Sequence, residues 1–186
     1  QFRLIVLYAV CTGLAETVKS LSPKELKRLN SILLDEMAHV VGDFGGTVLR
    51  YVKDCVVGFF VFPAAGWTKQ IDRALLCTEM MQKVMKHSIG PMVQLEGLPV
   101  IGCRIGIDCG DVQIAGIRVE GIYTEVDAFG DVVNVSKKIC DEAESGEILI
   151  GKSLWQLLYA PHKMRCKKIK SLVRDEETYD LYSLNY

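Results

Sequence analysis

Two stretches of this 186-residue chain place chemically useful side chains at telling spacings. The first, Gly45 to Phe62 (GGTVLRYVKDCVVGFFVF), carries apolar and β-branched residues on both sides of Lys53-Asp54, the pattern of two strands joined by a tight turn. Asp tolerates positive φ and bonds its own backbone, so Asp54 suits a turn, and the tip of such a hairpin is where chemistry is sought. The second stretch sets Asn134 and Lys138 four residues apart, on one face of a helix. His39, His87 and His162 are scattered without metal-ligand or triad spacing. The seven cysteines (Cys11, Cys55, Cys77, Cys103, Cys109, Cys140, Cys166) form no C-x-x-C pair, which argues against zinc and dithiol chemistry.

The elements that must position these residues follow from periodicity. Phe2 to Cys11 is an almost continuous apolar run of strand length, expected at the sheet centre with both faces covered. Ser22-Pro23-Lys24-Glu25 is a capping box with proline at the first helical position, and Leu26, Leu29, Leu33, Met37 and Val40 predict a helix from Pro23 to Val41. A second helix is expected from Trp67 to His87, then a loop from Ser88 to Pro99. Val100 to Ile107 and Val112 to Ile117 read as a strand pair broken near Cys109-Gly110, followed by an exposed loop from Arg118 to Thr124. A helix over Asp131–Glu144, a strand over Glu147–Ile150, a short helix over Lys152–Leu158 stopped by Pro161, and a strand pair, Met164–Ile169 and Thr178–Leu184, complete the chain. Frequent hairpins and few parallel crossovers make the class α+β, a ferredoxin-like mixed sheet with flanking helices.

Size and composition narrow the function classes. At 49% hydrophobic, the 186 residues suffice for one well-buried core, so residues 1–186 are expected to form a single domain, cut from a longer protein because the chain opens directly in a strand. Net charge is −1 and the basic run Lys167 to Lys170 is short, which predicts no nucleic-acid and no membrane contact. Apolar runs fall short of the ~18 residues that span a bilayer. Cysteines inside apolar segments suit a reducing, cytoplasmic compartment.

Three stretches together resemble the catalytic domain of class III adenylyl and guanylyl cyclases: GGTVLRYVKDCVVGFF from Gly45, RIGIDCGDVQIAGI from Arg104, and EVDAFGDVVNVSKKICDEAESGEILIGKSLWQLL from Glu125. LSPKEL and TYDLYSL fit the same order, and the resemblance covers nearly the whole chain. It implies the class III cyclase fold, a site between two catalytic domains, and conversion of a nucleoside triphosphate into a 3′,5′-cyclic monophosphate plus pyrophosphate with two divalent ions. The resemblance assigns Asp54 and the Cys11 backbone carbonyl to metal binding, Arg50 and Asp127 to the purine, Asn134 to the ribose, and Lys138 and Lys170 to the phosphates. The Arg50/Asp127 pair favours ATP, although it could also meet guanine.

The chain departs from the family pattern at three positions. Val10 stands where the first metal Asp belongs, Lys53 replaces the turn glycine, and Lys138 replaces an Arg. Valine offers no oxygen to Mg²⁺. The expectation is therefore an adenylate cyclase-type phosphorus–oxygen lyase of weak activity, holding one Mg²⁺ or Mn²⁺ rather than two, or dependent on a partner that supplies the carboxylates as a homodimer or heterodimer. The alternative is an inactive cyclase-fold module for dimerisation or nucleotide sensing.

Overall fold

The computed structural model describes residues 2–14, 19, 21–63, 66–119, 123–174 and 177–186, with backbone alone at 115–119, 123–127, 174 and 177. Its core is strand β1 (Phe2–Thr12), in which Leu4 to Ala9 are buried on both faces. Burial follows from pairing: β1 runs antiparallel to β3 (Cys55–Val61) on one side and to β4 (Gly102–Val119) on the other. With β2 (Thr47–Val52), β5 (Tyr123–Phe129), β6 (Ile148–Gly151), β7 (Cys166–Arg174) and β8 (Glu177–Leu184), the order is β2-β3-β1-β4-β6-β8-β7, with β5 on β4 off that path. Only the β4–β6 pairing is parallel among the described strands. The mixed sheet with flanking helices is the expected α+β class.

Alternation along β1 divides the core between two layers. Ile5, Leu7, Ala9 and Cys11 pack against helices α1 (Pro23–Asp43) and α2 (Trp67–Val84). Leu4, Val6 and Tyr8 face α4 (Asp131–Asp141) through Val132, Val133 and Cys140. The capping box predicted for α1 is present: the Glu25 amide donates to Ser22 Oγ, and Glu25 Oε2 accepts from the Ser22 amide at 2.9 Å. That box satisfies two otherwise orphaned amides of the first turn.

Glycines on β4 fix where α4 lies. A Cβ on Gly106 would stand 2.2 Å from the Cys140 amide nitrogen, and one on Gly110 would stand 2.9 Å from Val132 Cβ. The four residues between these glycines rise about 13 Å along a strand, and the eight between Val132 and Cys140 rise about 12 Å along a helix. The helix therefore lies flat on the strand, running against it, and Asn134 is carried to the Val10 end of β1.

Four expectations need correction. The α2 segment does not end in a loop at Ser88; a π turn (Met85–Ile89) leads into α3 (Gly90–Leu95). Pro91 occupies the first turn of α3, where no amide donor is needed, and the π turn lets the Gly90 amide reach Met85 O. Second, β4 runs unbroken through Cys109-Gly110, because Gly110 serves close helix packing rather than a turn. Third, residues 118–119 and 123–124 pair as strand in the β4–β5 hairpin rather than forming a loop; 120–122 lie outside the described residues. Fourth, the short helix is present as α5 (Lys152–Leu157), but Pro161 is not its stop: it sits in the first turn of a further helix, α6 (Ala160–Lys163).

Candidate functional site

A groove of about 460 Å³ opens beside the β2–β3 turn, and Val10 lies in it. Register puts Cys55 opposite Val10 on β3 and Arg104 opposite Val10 on β4, so the three side chains share one face of the sheet. The turn is the expected two-residue connection, with Val52 paired to Cys55. Lys53 adopts φ 55°, the left-handed region that favours glycine, and among the described residues it is the one non-glycine there. The Cys11 amide donates to Asp54 O at 2.9 Å, pinning the tip against the end of β1. Arg50 and Asp54, both half-buried, line the groove from the hairpin, while Asn134 and Lys137 line it from α4.

The α4 wall holds a further charged set. Lys137 Nζ donates to Asp141 Oδ2 at 2.6 Å, and Arg104 reaches the Asp141 backbone carbonyl at 3.3 Å and Oδ1 at 3.5 Å. The bond from Lys137 to Asp141 raises the ammonium above its ordinary range, so it stays charged. Beneath the turn, on the opposite face of β1, burial, followed in effect by the Asp54 carboxylate, pushes the Cys11 thiol up to about 12. Burial, then neighbouring Cys140 and Asp54, does the same to Cys55, also to about 12. Neither is a thiolate at neutral pH, so neither offers a ready nucleophile.

The residues present do not fit a two-ion centre. A magnesium ion needs near-octahedral oxygen coordination, and Asp54 is the one carboxylate on the hairpin side of the groove, with Val10 contributing a hydrocarbon wall. Among the described residues, no group of three or more His, Cys, Asp or Glu could hold a metal ion.

The residues singled out in the sequence do not all converge. Arg50, Asp54 and Asn134 meet at the groove, and Cys11 is tied to it by its amide bond to the Asp54 carbonyl. Lys138 instead borders a separate depression of about 290 Å³ with Glu142 and Tyr179, and Lys170 is ion-paired with Glu142. Helical phase explains the division: Lys138 lies about 40° round α4 from Asn134 on one side and Lys137 about 60° on the other. Asp127 pairs in backbone with Ala115 in the β4–β5 hairpin, and its side chain lies outside the described residues. Sequence reasoning passed over Lys137, Arg104 and Asp141. The signal was available, since Lys137 stands three residues after Asn134 and four before Asp141, and both spacings face one way on a helix.

Residues 5–185 match the profile of the adenylate and guanylate cyclase catalytic domain. The chain belongs to that family. Among curated relatives, a cytidylate cyclase of Staphylococcus aureus is 23% identical over 167 residues, covering 88% of this chain and 39% of that protein. An adenylate cyclase of Anabaena cylindrica is 24% identical over 192 residues, covering 98% of this chain and 36% of that protein. This cyclase domain thus spans less than two fifths of the length of these relatives. In fold, it matches the solved adenylyl cyclase CyaB of P. aeruginosa with a TM-score of 0.85 at 23% identity, over 100% of this chain and 94% of the other.

Proposed function

We propose that the groove is half of a nucleoside triphosphate site, completed by a second cyclase domain in a homodimer or heterodimer. The observation that carries this reading is the meeting of Arg50, Asp54 and Asn134, from two separate elements, on one groove beside the β2–β3 turn. In the proposed reaction the ribose 3′-oxygen attacks the α-phosphorus, the bond to the leaving pyrophosphate breaks, and a cyclic monophosphate forms. Arg50 donates to the purine, Asp127 accepts from its exocyclic amine, and Asn134 orients the ribose; this pairing favours ATP. The relatives include both a cytidylate and an adenylate cyclase, which leaves base preference to these two side chains of this domain.

A divalent ion, Mg²⁺ or Mn²⁺, supplies charge neutralisation of the leaving group when bound. Asp54 and the Cys11 carbonyl are the whole of this chain's share of such a cradle, so turnover depends on a partner that brings its own carboxylates. Lys138 and Lys170 serve the phosphates in this reading, Lys170 after leaving Glu142. No described helix is long and apolar enough to cross a membrane, and the described cysteines are free thiols, which supports a cytoplasmic location.

Val10 favours a second reading, a catalytically inactive domain that senses nucleotide or dimerises. Purified domain incubated with ATP and Mn²⁺ separates the two: cyclic AMP that disappears in Asp54→Ala establishes a cyclase. An inactive chain that restores turnover to a partner lacking its own ribose Asn and phosphate Arg establishes a half-site. Thermal protection by ATP with neither activity establishes a sensor.

A further inference from the structure

The groove beside Val10 carries a surplus of positive charge that a metal centre would not want. Its lining includes four cations, Arg50, Lys53, Arg104 and Lys137, against two carboxylates, Asp54 and Asp141. Before any ligand enters, the net balance repels a divalent ion and attracts an anion. One of those cations, Lys53, and one missing carboxylate, at Val10, fall where the chain departs from the family pattern: valine in place of Asp at 10 and lysine in place of glycine at 53 each shift the balance by one positive unit. Together they equal the charge of one divalent ion.

Lys137 is built to use that surplus. Its side chain is 59% exposed, yet one of its three ammonium donors is fixed by Asp141 at 2.6 Å, which orders the head and leaves two donors for a ligand. Asp141 also holds Arg104, whose backbone is paired with Val10, so both cations sit beside the position that has lost its carboxylate. We infer that Lys137 binds the phosphate chain of the ligand directly, taking the place of one metal ion, so that the groove accepts a polyphosphate without a divalent cation. This rests on the reading of the groove as a nucleotide site.

The test is titration calorimetry with inorganic tripolyphosphate, and separately with ATP, in excess EDTA. The parent domain binds both, more weakly as salt is raised. Lys137→Met, at an exposed position whose loss leaves the core intact, weakens binding roughly tenfold. Val10→Asp weakens metal-free binding and makes it stronger on adding Mn²⁺. Binding of ATP by the parent only when Mn²⁺ is present, or unchanged affinity in Lys137→Met, overturns the inference while leaving the nucleotide site standing. No ATP binding with or without Mn²⁺ overturns both.

Discussion

Asp108 gives the sharpest test of the interior. Its carboxyl is 1% exposed on β4, accepts from the Leu154 amide at 2.8 Å and from the Tyr179 hydroxyl, and is raised by burial from 3.8 to about 6. A folded-state value above the unfolded one means that the folded chain binds the proton more tightly. The associated stability is therefore full below the unfolded value and lost as pH rises through the folded value. A rise of that size corresponds to roughly 3 kcal/mol, of which about 2 kcal/mol is lost between about pH 4 and about pH 7. For a chain of this size that is a fall in Tm of about 4–8 °C. Asp72 and Asp180 are lowered instead, Asp72 against burial by its bonds from His162 and Tyr159 and Asp180 chiefly by its bond from Lys168; their contributions vanish only below the ordinary carboxylate range. Scanning calorimetry of the parent and Asp108→Asn across this window isolates the effect: the difference between their melting temperatures should change by that amount. Tyr179→Phe removes a donor that lowers the Asp108 value, and should move the decline to higher pH. If Asp108→Asn tracks the parent at every pH, the assignment of this proton to Asp108 fails.

Gly106→Ala should cost at least about 3 kcal/mol in chemical denaturation, because its methyl meets the Cys140 amide rather than a mobile side chain. Lys53→Gly should gain about 1 kcal/mol by relieving left-handed backbone, seen as a higher Tm, while weakening tripolyphosphate binding in EDTA. Asn134→Ala should leave the melting temperature within about 2 °C of the parent, since the side chain is exposed, but reduce ATP affinity severalfold in calorimetry.

Much of this architecture is legible in the sequence because local signals and tertiary needs agree. The capping box at Ser22, the apolar run of β1 and the Lys53-Asp54 turn all follow from short-range chemistry. Where the sequence misled, a residue with a strong local meaning served a distant one. Gly110 looks like a break yet admits Val132, and Pro91, inside the expected Ser88–Pro99 loop, sits in the first turn of α3. The same holds at the groove: Asn134 is visible from its motif, but whether Lys137 or Lys138 shares its face depends on how α4 is rolled against β4. That roll is set by Gly106 and Gly110, about thirty residues upstream.

The cysteines carry a practical consequence. Cys11, Cys55, Cys77 and Cys109 are buried and held near 12, mainly by desolvation, whereas Cys166 is only half-covered. Alkylating reagents attack the thiolate, so each sheltered sulfur is modified only during excursions that bring it to water. Pulsed iodoacetamide with mass spectrometry would then time the breathing of β1, β3, β4 and α2 separately, with Cys166 as the fast internal standard and no engineered label.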